Sequence, residues 1–465
     1  MEAGFSMALN VQDRDPKMRV MEAEWPLLTA LLGGTRTMRA ASTTFLPRQP
    51  KEDQDDYNYR LAVATLFPAF ERTCTVMAGK PFAKEVTLSK DAPDVIIDLC
   101  NNIDGEGRSL HAFASDVFDH SAIKYGFGGI LVDFTRTQGR ARTRAEEKAI
   151  GARPYCVHIK AEQILGWMVG DVAGKPGLTM LRIAETKEVP DGDYGTKLLK
   201  RVRVLRPGSF EVWEEAANGS YTRVEDESGV TTLEFIPFVP VYGRRAAFMQ
   251  GMAPLLNLAY LNVKHWQNES DQDDSARFAR KRLLVFSGIS NKDEIVMAAS
   301  QAVNLPTGAS ADVLQGSAES VTVGRSELNA LEEQMIQTGA ELLVAQPGQR
   351  TATEASNDAE ANKSALQSIV ENYEDSLDLV LDYMAAWLGI DRTAKVTLFK
   401  DFAAQSLTEA GAQMIVSLYQ AGLLSKETAI KEMQRRGVLS PDLDAEAEFD
   451  RIASEGPALG TIGGE

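Results

Sequence analysis

The first amphipathic pattern along the chain predicts a long helix that begins near Lys51 and ends at Gly79. Four acidic residues near its start lie where the positive end of the helix dipole stabilises negative charge. Pro68 is expected to kink this helix, because its ring removes a backbone donor and crowds the preceding turn. The apolar positions that define the helix are Leu61, Phe67, Phe70, Cys74 and Met77.

A second helical pattern runs over residues 109–125 and leads into a glycine-rich turn at residues 126–129. The apolar run at residues 130–134 then predicts a strand. From residue 154 to residue 242, β-branched and aromatic residues are interrupted by Gly, Pro and Asp, which predicts several further strands. We therefore expect an α/β body over roughly the first 250 residues.

Two long helices with a small insertion between them are predicted next. The first begins near Pro254 and runs for about 28 residues without Pro or Gly, about 42 Å of helix. Its first half is apolar and should pack, whereas its acidic second half should meet water or a neighbour. The insertion, residues 282–325, shows strands at 283–286 and 320–323 and a short helix at 294–302. The second helix is expected at residues 326–344.

A helix break at Pro347 and Gly348 precedes the strongest local signal in the chain. Residues 351–354, with sequence TATE, have the form of a capping box, so we expect a long helix from there to Gly389. A strand at 396–399 and helices at 407–421 and 425–436 should follow. The last segment, residues 441–465, has seven acidic residues against one basic residue and is expected to be a mobile tail.

Composition and charge narrow the class of protein. The 465 residues are 44% hydrophobic and 25% charged, as in a globular protein that buries a core. The net charge of −17 opposes non-specific coating of the surface by nucleic acid. Three cysteines without a paired spacing favour neither a disulfide framework nor a zinc cluster. Neither a secretory leader nor a membrane span is indicated, so we expect no contact with a membrane.

Common catalytic motifs are missing from the sequence, which has no phosphate-binding P-loop, nucleophile elbow or zinc-binding HExxH pair. The glycines at residues 126–129 precede a strand, whereas a dinucleotide-binding loop follows one, so we interpret them as a turn. The basic loop at residues 136–148 could touch nucleic acid or a partner, but a solvated loop is the preferred interpretation. The four histidines are widely spaced and are expected to be structural: His111, His120, His158 and His265.

Asp271, Asp273 and Asp274 form the best candidate for a metal site, because clustered carboxylates can hold Mg²⁺ or Ca²⁺. On a continuous helix, however, Asp271 and Asp274 share a face while Asp273 points elsewhere. We therefore prefer a solvated or intersubunit acidic face and expect neither a metal ion nor a cofactor.

Distinctive segments along the chain are FLP (45–47), DYNYRL (56–61), AFERT (69–73), YGFGGILVD (125–133), IPFVP (236–240), residues 255–262 with SDQ (270–272), and TATEA (351–355). These segments resemble those of the portal proteins of tailed bacteriophages and prophages. The order of the predicted elements is similar too: an α/β body, a long helix, an insertion, a second helix, a Pro-Gly break and a very long helix. Together the similar segments span roughly residues 45–390.

The resemblance implies an α+β portal fold with wing, stem, clip and crown, assembled into a ring around a central channel. Residues 1–250 would form the wing, 251–281 and 326–345 the two stem helices, and 282–325 the clip. Residues 346–352 would form the tunnel loop, 353–399 the helix returning to the wing, and 400–440 the crown, followed by the acidic tail at 441–465. Gln346, Gln349 and Arg350 would then lie near DNA, and Asp271, Asp273 and Asp274 would repel it or contact a neighbouring subunit.

The resemblance also implies what such a protein does. Portal proteins form rings, commonly of twelve subunits, at one capsid vertex of the virion after assembly in the host cytoplasm. The ring is a conduit for double-stranded DNA during packaging and ejection. Its partners are the terminase large subunit, which carries the catalytic activity, the head–tail adaptor or connector, and the capsid and scaffolding proteins. The chain itself is therefore expected not to be an enzyme.

Two alternatives remain at this point. The first is another viral structural protein, such as an adaptor or a minor head protein, although adaptors are usually far shorter. The second is a metal-dependent enzyme built on the Asp271 cluster, which metal-dependent turnover of DNA would reveal.

Overall fold

The structure is a computed structural model. It describes residues 9–135, 151–172, 174–280, 283–288, 310–314, 318–343, 364–400 and 425–435, together with a few single positions. The chain divides into two compact units, Met1–Thr397 and Leu398–Glu465. Within the described part of the second unit lies the helix Lys426–Arg435, in agreement with the helix predicted at 425–436. The predicted helix at 407–421, the basic loop at 136–148 and most of the tail lie outside the described residues.

Five short helices open the first unit: α1 (Pro16–Glu22), α2 (Trp25–Leu32), α3 (Gly34–Ala41), α4 (Gln54–Val63) and α5 (Ala69–Gly79). The prediction of one kinked helix over the last two is wrong, because the chain leaves the helical conformation at Ala64 and resumes it at Ala69. The side chain of Asn262 stabilises the break. Its carbonyl accepts a hydrogen bond from Phe70 N at 2.9 Å and its amide donates to Phe67 O at 2.8 Å.

The core of the first unit lies around a three-stranded antiparallel sheet. Its strands are β2 (Phe127–Phe134), flanked by β3 (Pro154–Lys160) and β10 (Phe238–Tyr242). Two further helices precede β2, α6 (Asp94–Cys100) and α7 (Leu110–Val117), and α7 continues into a π-helical segment, Phe118–Lys124. The predicted helix at 109–125 is thus confirmed, with Ser109 as its N-cap.

Gly126 makes the turn between the π-helical segment and β2. Its φ of +72° is a conformation that favours glycine. A Cβ atom there would lie 1.9 Å from the backbone carbon of Met252. The predicted turn is confirmed at Gly126 only, because Gly128 and Gly129 already belong to β2. The strand thus begins at Phe127, three residues earlier than predicted, and the glycines precede or lie within it, whereas a dinucleotide-binding loop follows a strand.

The predicted strands between residues 154 and 242 are confirmed, and most of them form a second antiparallel sheet. Its order is β4 (Ile164–Val172), β5 (Lys175–Asp191), β6 (Gly195–Arg206), β7 (Ser209–Glu215) and β8 (Tyr221–Arg223), with β9 (Gly229–Val230) also on β7. Two small pairs complete this part of the unit: β1 (Thr87–Leu88) with β15 (Val396–Thr397), and β11 (Arg244–Ala247) with β12 (Gln250–Met252).

Three long helices follow the sheets: α8 (Leu256–Arg280), α9 (Ala318–Ala340) and α10 (Ala365–Leu388). Between α8 and α9, β13 (Leu283–Ser287) pairs antiparallel with β14 (Ser310–Leu314).

The strand predicted at residues 320–323 is wrong, because these residues form the first turns of α9. β-branched residues favour a strand locally, but packing against α8 decides the conformation. The second helix thus begins eight residues earlier than predicted and the insertion is correspondingly shorter. The helix predicted at 294–302 lies outside the described residues.

The predicted start of the third long helix is also wrong. Ser364 has an extended backbone, with φ −73° and ψ 157°, so one continuous helix from residue 353 to Gly389 does not form. The hydroxyl of Ser364 accepts a hydrogen bond from Gln367 N, and the Gln367 side chain accepts one from Ser364 N. This reciprocal capping box begins α10, and residues 351–354, where it was predicted, lie outside the described residues. Gly389, with φ +63°, ends the helix as predicted.

Helix α10 closes the core by covering the three-stranded sheet. Buried apolar residues at helical spacing face β2, β3 and β10, and two polar groups bind neighbouring carbonyls. Tyr373 Oη donates a hydrogen bond to Ala114 O at 2.8 Å, and Trp387 Nε1 donates to Val132 O at 3.0 Å. Because these polar atoms form hydrogen bonds, packing the two side chains against the sheet stabilises the α/β body.

Candidate functional site

Helices α8 and α9 form an antiparallel pair, and three polar contacts fix their register. His265 lies 3.3 Å from Glu332, Glu269 lies 3.9 Å from Arg325, and Gln272 Nε2 donates a hydrogen bond to Val321 O at 2.7 Å. From His265 to Gln272 along α8, the contacted residues of α9 run in the opposite direction, from Glu332 to Val321. The hairpin β13–β14 therefore lies at the end of the pair where α8 finishes and α9 begins.

Gly324 leaves room for the side chain of Gln272 between the two helices. A Cβ atom at this position would lie 2.0 Å from Gln272 Oε1 in its observed position. Apolar side chains of α9 bury the rest of the contact, with Leu328, Leu331 and Met335 each no more than 5% exposed. The pattern of the sequence predicted a helix over these apolar residues, whereas the role of Gly324 was not predicted, because a single glycine carries no signal of a helix contact.

The other end of α8 is anchored in the body of the first unit. Trp266 is completely buried, and Asn262, also buried, binds the break between α4 and α5. One turn further on, Gln267 Nε2 donates a hydrogen bond to Phe45 O at 3.0 Å. Helix α8 is thus a continuous rod of about 37 Å that connects the amino-terminal helices to the hairpin.

The acidic second half of α8 contacts Arg60, a residue of α4 whose side chain is only 2% exposed. Arg60 Nη1 lies 3.7 Å from Asp271 Oδ1, and Nε lies 3.8 Å from Asp274 Oδ2. Its stronger partner is Glu52, which accepts two hydrogen bonds from the guanidinium, at 2.7 and 2.9 Å. Further hydrogen bonds run from Arg60 to Pro47 O at 2.9 Å and to Ser270 Oγ at 3.4 Å.

Electrostatics at this cluster follow from the same contacts. The hydrogen bond from Arg60 holds the pKa of the Glu52 carboxyl below its usual value, and Glu52 in turn raises the pKa of Arg60. Burial raises the pKa of Asp274, against the opposing effects of Arg277 and Arg60. The cluster is thus an ion-pair network in which carboxylates share one buried guanidinium.

The structure places the three predicted acidic residues differently from one another. Asp271, which also accepts a hydrogen bond from Gln49 Nε2 at 2.9 Å, and Asp274 face Arg60 within the same chain. Asp274 pairs in addition with Arg277, whose guanidinium lies 4.7 Å from the ring centre of Tyr59. Asp273 contributes its backbone carbonyl, which accepts a hydrogen bond from Arg277 Nε at 3.2 Å. The contacts of Asp271 and Asp274 therefore join α8 to α4.

The remaining sequence-based candidates can be placed only in part. Gln346, Gln349 and Arg350 lie outside the described residues. Within the described ranges, no three His, Cys, Asp or Glu side chains are arranged to hold a metal ion, the Asp271 cluster included. Among the helices that the structure describes, none combines the length and the apolar character needed to span a bilayer.

Two of the four histidines, scattered in the sequence, lie together in the fold. The ring of His120 meets that of His158 edge-on at 5.4 Å and stacks on Tyr125 at 4.6 Å. His158 Nε2 lies 2.7 Å from Ser121 Oγ, and His120 Nε2 lies 3.7 Å from Glu162. Ser121 is completely buried, so its hydroxyl is not exposed to solvent. The π-helical segment, which the sequence did not reveal, brings these residues together.

Comparison with known proteins gives a partial match. Residues 254–388, from the start of α8 to the end of α10, match the family described as "Domain of unknown function (DUF4055)". No curated protein sequence matches the chain. Among solved structures, a chain from the "Neck of empty GTA particle computed with C6 symmetry" is 12% identical, with 84% of this chain and 97% of that chain covered and a TM-score of 0.41. A chain from the "Neck of native GTA particle computed with C12 symmetry" is also 12% identical, with 86% and 98% covered and a TM-score of 0.36. Likenesses at this level carry no argument about function.

Proposed function

We propose that this chain is a portal-type subunit, which forms a ring around a channel at one vertex of a phage-like capsid. The observation that supports the proposal is the antiparallel pair of helices α8 and α9. The strand pair β13–β14 lies at one end of these helices, and at the other end buried residues of α8 such as Asn262 pack into the α/β body. This arrangement corresponds to the stem, clip and wing that the sequence resemblance implies. Helix α10, which packs on the α/β body, corresponds to the helix that returns to the wing in the same resemblance.

The proposed ring is a conduit for double-stranded DNA during packaging and ejection, with no catalytic role of its own. The net charge of −17 supports this role, because a wall that bound phosphates tightly would hold back a duplex that carries one charge per about 1.7 Å. Asp271 and Asp274 have a different role in this proposal, since Arg60 and Arg277 offset their charge. Gln346, Gln349 and Arg350 remain the proposed contacts with DNA.

The proposed ring has about twelve copies and docks the terminase large subunit during packaging and a head–tail adaptor afterwards. It would lie in the virion, next to the capsid and scaffolding proteins with which it assembles in the host cytoplasm. The hairpin end of the α8–α9 pair is the proposed docking end, because it lies furthest along the helices from the buried residues Asn262 and Trp266.

Electron microscopy of the purified full-length chain, together with its mass in solution, tests the proposal. We expect rings with a central channel about 20 Å wide or wider, enough for a duplex. A monomer that persists over the whole accessible concentration range would contradict the proposal. Reconstruction of the vertex in particles that contain the chain separates a portal from an adaptor, because a portal lies at the capsid shell and an adaptor lies outside it.

A further inference from the structure

Strands β5 and β6 extend beyond the sheet to which they belong. Strand β4 pairs with β5 only as far as Ile183, and β7 pairs with β6 only from Arg201 onwards. Among the residues that the structure describes, six pairs further out, from Thr186 with Lys200 to Asp191 with Gly195, have only each other as strand partners. This two-stranded arm, residues 186–200, is about 20 Å long at about 3.3 Å per residue.

The arm carries exposed side chains of the kinds that bind another protein surface. An isolated two-stranded ribbon has little stability of its own in water, so a partner surface would stabilise it. Its tip carries the carboxylates Asp191 and Asp193 beside Tyr194, whose side chain is fully exposed at 103%. Leu198, on the second strand, is 63% exposed. Aromatic side chains are among the residues most often buried at protein interfaces.

A cleft elsewhere in the same unit is lined by apolar and basic side chains, which complement the aromatic and acidic side chains at the arm tip. It has a volume of about 420 Å³ and lies between α10, β10, the β11–β12 hairpin and the start of β5. Its walls are largely apolar and include Phe248, Leu379 and Tyr383. Arg245 lies at one side, next to the exposed Arg244, and Asp375 lies at another. A hydrogen bond of 2.9 Å from Met249 N to Tyr242 Oη holds the hairpin in place.

The arm cannot reach the cleft of its own chain. Leu178 lines the cleft and belongs to the same strand as Asp191 at the arm tip. Asp191 lies thirteen positions beyond Leu178, which is about 43 Å along the strand at about 3.3 Å per residue. An arm tip that occupies such a cleft must therefore belong to a second copy of the chain.

We infer that the arm tip, Asp191–Tyr194, docks into the cleft of an adjacent copy of this chain, and this inference rests on the ring of the proposed function. Tyr194 enters between the apolar walls, with its hydroxyl in a position to donate a hydrogen bond to Asp375. Asp191 and Asp193 pair with Arg244 and Arg245. Because arm and cleft are different surfaces, the contact is heterologous, and repeating it around an axis closes a ring.

Disulfide crosslinking of the full-length chain tests the contact. The three native cysteines, Cys74, Cys100 and Cys156, are all buried, so an engineered pair supplies the exposed thiols. The test variant carries Tyr194→Cys with Phe248→Cys, and after mild oxidation its denatured products are separated by size. We expect a ladder of covalent oligomers up to the number of subunits in the ring. Phe248→Cys alone, and Tyr194→Cys with Lys90→Cys, are controls that should give no ladder.

A charge exchange provides a second measurement in case the cysteine pair disturbs folding. Asp193→Arg and Arg245→Glu, each alone, should raise the concentration needed for ring assembly at least about tenfold, because each brings like charges together. The two combined should restore it to within about threefold of the original. Lys90→Glu, on an exposed turn, should leave it unchanged.

The outcomes separate the two proposals. Rings with a ladder and with restoration by the double exchange support the docking contact. Rings without a ladder, and with no effect of the charge changes, overturn the contact and leave the portal proposal intact. Absence of rings from the unmodified protein overturns the portal proposal, and the docking contact with it.

Discussion

Arg60 shows how one buried charge can hold distant parts of the chain together. Its guanidinium hydrogen bonds to Glu52 and to Pro47 O on the amino-terminal side and to Ser270 on α8. The acidic positions of α8 could be read from the sequence, but their partner could not, because 210 residues separate Arg60 from Ser270. A sequence pattern shows which residues share a helix face, not what covers that face.

Replacing Arg60 tests the importance of this cluster for stability. Arg60→Met keeps much of the side-chain volume but removes the guanidinium that donates two hydrogen bonds to Glu52, whose side chain is 9% exposed. We expect the free energy of unfolding to fall by about 3 kcal/mol or more, as for other buried ion pairs that lose one partner. Denaturant unfolding measures this loss. Arg325→Ala is the control, because Arg325 is itself exposed and lies 3.9 Å from Glu269, so the pair should contribute less than about 1 kcal/mol. Equal effects of the two substitutions would refute the role of Arg60.

His158 predicts a dependence of stability on pH. Burial lowers its pKa to about 3, and the neighbouring His120, Lys160 and Arg108 act in the same direction while Glu162 opposes them. The unfolded chain binds a proton at this residue below about pH 6.5, whereas the folded chain does not until about pH 3. The stability contributed by neutral His158 is therefore fully present above about pH 6.5 and is lost as the pH falls towards 3.

The measurement is the free energy of unfolding between pH 7 and pH 4 for the unmodified protein and for His158→Gln. Glutamine cannot titrate and keeps a polar group near Ser121. We expect the variant to have a shallower decline with acid, by at most about 1.4 kcal/mol per pH unit. Parallel curves for His158→Gln and the unmodified protein would rule out this linkage.

At the scale of elements, helical periodicity located most helices but not all of their ends. The sequence predicted a long helix that ends at Gly389, and in α10 the apolar residues Leu366, Ile369, Leu377 and Met384 are buried at helical spacing. The start of this helix was misplaced, because residues 351–354 and residues 364–367 both have the letters of a capping box. The pattern of letters alone does not show which of the two boxes starts the helix. The short strand predicted at 320–323 failed for a related reason, since packing outweighs local β-propensity.

Ser364→Ala tests the observed start of α10. The substitution removes the hydroxyl that accepts from Gln367 N and should lower the free energy of unfolding by about 1 kcal/mol. Ser376→Ala is the matched control within the same helix, where the hydroxyl binds Asn372 O one turn earlier and caps nothing. Its effect should stay within about 0.5 kcal/mol. Thermal unfolding of the three proteins compares them directly, and an unaffected Ser364 variant would contradict this helix start.

At the scale of the whole molecule, the sequence predicted the order of the elements better than their contacts. An α/β body followed by two long helices around a small insertion is what the described residues show. The sequence did not predict the contacts between distant segments. Examples are the hydrogen bonds of Asn262 with the break before α5 and the ion pairs of Arg60 with α8. The protruding length of β5 and β6 was also not predictable, because their alternating pattern is the same whether or not a third strand lies beside them.

The link between Arg60 and Ser270 also bears on the order in which the chain is made. A ribosome that adds about 5–20 residues per second needs about 10–40 s to pass from one position to the other. During that interval α4 and α5 exist without the helix that Asn262 and Arg60 attach to them. The amino-terminal helices therefore cannot complete their packing until α8 has left the ribosome. Any chaperone that protects this protein during translation would have to cover their apolar faces for at least that long.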